Sequence, residues 1–201
     1  MAQLLFLQKI FDTLIDSFIK DKVGIAENFL SVALATDLKL NLLSLFANHQ
    51  LHFAGTGNKT PDQNTQRGDC IYWLDRTHND IHENSFFDLM DAFVLYMNST
   101  CYTGITGYEF HYTVYGKGSF YKKHLDQFRN DDSRKYSMIM YLNTDWQKEN
   151  GGELCIHHAD RLQNISPDSG KTVFFKSSEL LHEVLETAVK RMSITGWLKV
   201  G

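Results

Sequence analysis

The period of the apolar pattern changes once along this 201-residue chain, near residue 108, and that change restricts the fold more than any other feature. Before it, apolar residues recur at three- and four-residue steps. Leu4, Leu7, Phe11, Leu14, Ile15 and Phe18 do so over residues 3–20. Phe29, Leu30, Ala33, Leu34, Leu38, Leu42, Leu45 and Phe46 do so over residues 26–48. This spacing collects apolar side chains on one face of a helix. A third helix is predicted over 84–98, opening at an Asn84/Ser85 capping signal and carrying Phe86, Phe87, Leu89, Met90, Phe93 and Val94. After residue 108 come YEFHYTVY, YSMIMYLN, GELCIHH, KTVFFK, LHEVLE and RMSITGWLKV. These runs are short, rich in β-branched and aromatic residues, and separated by Gly, Asn, Asp or Ser, which is the texture of strands.

Helices first and many short strands afterwards predict an α+β fold in one domain over residues 1–201. A double-stranded β-helix, a cupin-like jelly-roll barrel, would occupy 108–199, with the helices of residues 1–100 packed on one of its faces. The open mouth of such a barrel is a natural ligand site. The segment GTGNKTPDQNTQRGD, residues 55–69, reads as a long, mobile loop beside it. With 43% hydrophobic and 22% charged residues the composition is that of an ordinary globular protein. A net charge of −4 offers no basic field, so nucleic acid and anionic membrane are not expected partners. The opening MAQLLFLQKIFD is interrupted by Lys9 and Asp12 and reads neither as a signal peptide nor as a membrane span. Cys70, Cys101 and Cys155 are widely spaced, which argues against a disulfide framework and a structural zinc cluster and for a reduced, cytoplasmic setting. Oligomeric state is left open by these features.

The chemistry begins at His124-Leu125-Asp126. If SFYKKHLD is extended, residues two apart share a face, and both side chains can point into the barrel. His182, inside the apolar run LLHEVLE, can supply a third donor. Two imidazoles and one carboxylate on one face of an octahedral ion leave positions open, the arrangement of non-haem iron(II) oxygenases. Nine residues beyond His182, Arg191 lies in KRMSITGWL. An arginine in an apolar strand is costly unless its charge is paired, and its planar fork suits a carboxylate. Ser193 falls on the same strand face and could donate a further hydrogen bond. Gly151-Gly152 reads as a tight turn. The adjacent His157 and His158 point to opposite faces of a strand, so they cannot serve one ion and are expected at the surface or the pocket rim.

Over roughly residues 66–198 the chain resembles 2-oxoglutarate oxygenases of the prolyl 4-hydroxylase type, most closely the intracellular prolyl hydroxylase domain enzymes that sense oxygen. The stretches that carry the resemblance are QRGDCIYWLD, YGKGSFYKKHLD, YSMIMYLNTDW, the GGEL turn, LLHEV and RMSITGW, in that order. The resemblance implies iron(II) on His124, Asp126 and His182, and 2-oxoglutarate with its distal carboxylate on Arg191 and Tyr141. It implies Tyr115 near the oxalyl end of the co-substrate, and Trp197 and Tyr121 on the substrate side. Arg67 and Asp69 would border the active site where substrate enters. Between Tyr115 and His124 this chain is one residue shorter than the animal enzymes. The implied reaction consumes O2, converts 2-oxoglutarate to succinate and hydroxylates C4 of a prolyl residue in an intracellular protein or peptide, with ascorbate a candidate reductant.

Three other readings are consistent with parts of the pattern. The same chemistry could act on a free amino acid or small metabolite, for which a closed, charged pocket is expected instead of an open groove. A cupin-like metal-binding or sensor protein without turnover would have no use for Arg191 and Tyr141, and a zinc hydrolase fails on the same two residues.

Overall fold

The computed structural model describes residues 2–55, 66–127 and 132–201. Helix α1 spans Ala2–Asp21 and buries Phe11, Leu14 and Ile15 on one face. The second helix starts later than the expected residue 26: Ala26 ends a strand, β1 (Val23–Ala26), which pairs antiparallel with the later strand β9 (Thr172–Lys176), and Phe29 and Leu30 lie in the turn that follows. A three- and four-residue pattern does not register that turn, because Phe29 and Leu30 are buried from it as they would be from a helix. Gly24 is required in β1, since a Cβ would lie 2.6 Å from the Leu14 carbonyl oxygen. Helix α2 then runs Val32–Ala47, with Ser31 capping it by accepting from the Leu34 amide at 3.2 Å.

Helix α3 spans Ile81–Cys101, earlier and longer than the expected 84–98. Its cap is Asp80, whose carboxylate accepts from the His82 and Glu83 amides at 2.9 and 2.8 Å. Ser85 is inside the helix, where its hydroxyl returns to the Ile81 carbonyl. Asp80 combines the amide acceptor with a negative charge at the positive helix end, which Asn84 and Ser85 cannot match.

The strands form two antiparallel sheets. One has seven strands in the order β1, β9, β6 (Arg134–Tyr141), β11 (Arg191–Lys199), β4 (Gly107–Tyr115), β3 (Asp69–Trp73) and β2 (His52–Phe53). The other has four, β5 (Tyr121–His124), β10 (Leu181–Val184), β7 (Leu154–His157) and β8 (Leu162–Ile165). Strands β2, β3 and β8 were not among the expected runs, being short or polar on the solvent side. Asp69, read as the end of a loop, is the first residue of β3. Residues 56–65 of that loop lie outside the described residues.

Alternation along β11 divides the molecule. Met192, Ile194 and Leu198 join Phe110, Tyr112, Met138, Met140 and Phe174 in a core shared with the three helices. Gly196 faces the same way, and a Cβ there would overlap the Phe110 ring. Ile139, Tyr141, Val173 and Phe175 face the other way, onto Leu154, Ile156, Ile165 and Val184 of the small sheet. This is the jelly-roll barrel with helices on one face. Arg191, Ser193, Thr195 and Trp197 share its interior side by the two-residue period of a strand. None of the described helices is long and apolar enough to cross a membrane.

Candidate active site

His182 on β10 is directly opposite His124 on β5 across the small sheet. Asp126 lies two residues beyond His124, just past the end of β5 and not inside an extended strand as expected. Their donor atoms converge: Asp126 Oδ1 is 3.3 Å from His124 Nε2 and 3.5 Å from His182 Nε2. Each imidazole is oriented from behind. His124 Nδ1 lies 2.7 Å from the Lys122 carbonyl and His182 Nδ1 lies 3.0 Å from that of Leu180. A carbonyl can only accept, so both Nδ1 atoms carry a proton and both Nε2 atoms face the cluster. The second carboxylate oxygen of Asp126 accepts from Ser137 at 2.6 Å, and the Ser137 hydroxyl is itself 2.9 Å from that of Ser177. Burial disfavours ionisation of Asp126, but His182 and His124 outweigh it and hold the carboxyl well below the usual carboxylate range. Two imidazole nitrogens and one carboxylate oxygen, with their outer atoms already occupied, are a donor set that fits a divalent iron.

The cluster opens into a cavity of about 620 Å³. Arg191 reaches its inner end from β11, 1% exposed. Its Nε donates to the Gly152 carbonyl at 2.7 Å, while Nη2 meets no hydrogen-bond partner among the described residues. The guanidinium is 5.1 Å from each of the Tyr115 and Tyr141 ring centres. The Tyr141 hydroxyl, fully buried, is likewise without a partner. Burial pushes its pKa up to about 12 against the opposing charge of Arg191, so it stays a neutral donor. Tyr115 is held well above its ordinary value by burial and by Asp69, and is also neutral. The buried Nη2 of a cation and a buried phenol hydroxyl, neither with an acceptor among the described residues, together suit a carboxylate in charge as well as in hydrogen bonding.

The mouth is built differently. Tyr121 stacks on His124 with ring centres 3.6 Å apart, and the Arg67 guanidinium covers Tyr121 at 4.2 Å. Arg67 is fixed by a two-pronged pair with the buried Asp69, at 2.7 and 2.6 Å. That pair outweighs the burial of Arg67 and raises its pKa, so it remains a cation. Trp197 lies under the Arg134 guanidinium at 3.5 Å and beside Trp73.

Nine of the eleven residues singled out from sequence therefore line one cavity: His124, Asp126, His182, Arg191, Tyr115, Tyr121, Arg67, Asp69 and Trp197. Tyr141 lies against Arg191, and Ser193 places its hydroxyl 3.3 Å from that of Thr195, which lines the cavity. The pattern missed His111, Thr113 and Thr195 on the same wall. Thr195 was accessible in principle, four residues beyond Arg191 on one strand face. His111 and Thr113 become neighbours of β11 only through strand pairing. Gly152 is more than a turn: at φ +68° it leaves room for the Arg191 side chain and its carbonyl orients it. His157 and His158 line no part of the cavity and bond to Glu183 and Gln163 instead.

Comparison with known proteins bears on this geometry. The sequence model of the 2OG-Fe(II) oxygenase superfamily matches residues 110–199. A prolyl-4-hydroxylase from Pseudomonas putida is 31% identical, with 95% of this chain and 99% of that one covered and a TM-score of 0.85. A Trichoplax adhaerens prolyl hydroxylase, solved with a peptide fragment of the hypoxia inducible factor oxygen degradation domain, is 22% identical. It covers 99% of this chain and 93% of that one with a TM-score of 0.90, a likeness of fold. Egl nine homolog 1 of Homo sapiens is 37% identical over 86 residues, 41% of this chain. That match spans only 20% of the human protein, and 25% of its rat counterpart.

Proposed function

The chain belongs to the 2OG-Fe(II) oxygenase superfamily, and we propose that it hydroxylates a prolyl residue, at C4, of a peptide or protein segment. His124 and His182 through Nε2 and Asp126 through Oδ1 would hold iron(II), and Arg191 with Tyr141 would hold the distal carboxylate of 2-oxoglutarate. When bound, iron, 2-oxoglutarate and O2 together supply the oxidising power that hydroxylates a C–H bond, with succinate and carbon dioxide released. The observation that carries the reading is the partnerless Arg191 Nη2 and Tyr141 hydroxyl in the cavity that also holds the three-donor cluster.

The residues of the chain position and shield. Arg191, tethered by Gly152, supplies a charge-assisted pair from a site with 1% exposure, where such a pair is strong because water is excluded. Ser193, placed against Thr195, belongs to the same co-substrate wall. Tyr115 lines the cavity with its ring 5.1 Å from the Arg191 guanidinium and keeps its hydroxyl neutral. Tyr121 and Arg67 brace the open side of His124, and Asp69 fixes Arg67 over the Tyr121 ring.

A peptide is favoured over a free amino acid by the mouth. Phe53 and Trp73, 57% and 40% exposed, flank it together with Trp197, giving an aromatic rim for an extended chain and a proline ring. The prolyl hydroxylase relatives support the choice of proline. The test is turnover of 2-oxoglutarate by the iron-loaded protein with proline-containing peptides. A gain of one oxygen atom on a prolyl residue, matched by succinate, is expected. Oxygen found only on free amino acids, with no peptide coupled, would overturn the substrate assignment.

A further inference from the structure

On the outer face of the small sheet, away from the cavity, three donors of three kinds come together. Strands β7 and β10 are neighbours, with Glu183 opposite Cys155 and Leu181 opposite His157. Since His182 points into the barrel, Glu183 points out, and Cys155 and His157 share its side of the sheet. His157 Nε2 is 2.7 Å from Glu183 Oε1 and 4.0 Å from Cys155 Sγ. One ligand atom from each lies within 4.8 Å of the others. Cys155 is 3% exposed while His157 and Glu183 are half-buried, so the thiol forms the floor of a shallow cup open to solvent. None of the three lines the cavity.

We propose that Cys155, His157 and Glu183 form a second metal site, for a borderline-soft divalent cation of the zinc type, separate from the iron cluster. The donor set chooses the ion. Magnesium and calcium take oxygen ligands, whereas a thiolate with an imidazole and one carboxylate suits zinc. Around a tetrahedral zinc, neighbouring donors stand roughly 3.3 to 3.6 Å apart, given its usual bond lengths. The observed 2.7 and 4.0 Å fall on either side of that range. An entering ion therefore parts the His157–Glu183 pair by less than an ångström and draws the thiol in by about half of one, with water as the fourth ligand. Binding forms the metal–sulfur bond and breaks S–H, with the proton passing to solvent. Burial and the nearby Glu183 and Glu153 raise the thiol pKa, so the free site is a neutral thiol beside carboxylates that favour a cation. Close cysteine spacing is the usual sequence sign of zinc, and it is missing here because strand pairing supplies the third donor from 26 residues away.

The test uses Co2+ as the probe on the purified chain, kept anaerobic and reduced. The iron cluster has only nitrogen and oxygen donors, so a near-ultraviolet thiolate-to-cobalt absorption can arise only at a sulfur-containing site. The expected result is two bound equivalents, with the sulfur band saturating at one. Cys155→Ser should lose that band and one equivalent yet keep iron-supported conversion of 2-oxoglutarate, whereas His124→Ala should keep the band. His157→Gln, which preserves the sulfur, should weaken binding at this site at least tenfold. Absence of the band at full cobalt loading, or its persistence in Cys155→Ser, would overturn the proposal. Loss of the band in His124→Ala would do the same, because the thiolate signal would then belong to the cavity.

Discussion

Replacing Arg191 by Leu removes a buried cation whose Nη2 has no partner, together with its one bond from Nε to the Gly152 carbonyl. Two quantities respond, and they move differently. Affinity for 2-oxoglutarate depends on a desolvated charge pair, and truncating one side of such a pair costs about 2 to 5 kcal/mol. At about 1.4 kcal/mol per decade this is a loss of roughly 30- to 4,000-fold. The free protein has far less to lose. A charge-assisted hydrogen bond of about 1.5 to 3 kcal/mol disappears, and the opposing penalty of an incompletely compensated buried charge disappears with it. The melting temperature without co-substrate should therefore hardly move. The assay is anaerobic titration of the iron(II)-loaded protein with 2-oxoglutarate, followed by the visible charge-transfer band of the chelate. Thermal melts with and without 2-oxoglutarate accompany it. Wild type should gain stability with ligand as mass action requires, and Arg191→Leu should not. A variant that binds 2-oxoglutarate with unchanged affinity would refute the argument that the unsatisfied guanidinium marks the carboxylate subsite. A variant that loses affinity only because the free protein unfolds would reveal itself in the melt. Tyr141→Phe makes the intermediate case, since a hydroxyl donated to a charged group contributes about 1.5 to 3 kcal/mol.

Three further outcomes follow from the same geometry. His182→Ala should abolish iron-dependent turnover by deleting a donor whose Nδ1 the fold has already anchored to Leu180; undiminished turnover would dismiss the cluster as the iron site. Ser137→Ala strips the hydrogen bond from the outer oxygen of Asp126 and should weaken iron affinity by about 10- to 100-fold, read by competition with a chelator. His111 is fully buried, and burial pushes its pKa down to about 4 from 6.5. The unfolded chain then binds the extra proton between those values, so stability is full above about pH 6.5 and is lost as pH falls towards 4. Linkage gives about 2 kcal/mol of loss at pH 5 relative to pH 7. Urea unfolding of wild type and His111→Leu at both pH values should show a steeper acid loss in wild type, and equal losses would show that His111 is not held neutral.

The residues that made the site legible in the sequence are those whose chemistry is expensive to misplace. A histidine two residues from an aspartate is common, but an arginine in an apolar strand must have a partner, and that requirement points to an anion from the sequence alone. The periodicity of RMSITGWLKV placed Arg191 and Ser193 on one side, and the folded strand keeps them there. Helices α1 to α3 were legible as apolar stripes, with their ends misjudged where a better cap, Asp80, lay outside the stripe, or where buried turn residues, Phe29 and Leu30, continued the helical spacing.

Pairing between segments far apart in sequence carries no such local signal. That His124 faces His182, that Thr113 and His111 flank β11, and that Gly152 holds Arg191 are products of strand register and turn geometry. The same holds for Cys155, His157 and Glu183, brought together by two strands whose residues lie up to 28 apart. Local composition sets the period of each element and the cost of burying its polar groups, and so the sequence by itself determined the fold class, the three candidate metal donors and the need for an anion at Arg191. Which side chains share a cavity depends on closing loops between distant segments, a cost repaid only by the assembled core, and that was decided by the tertiary structure alone.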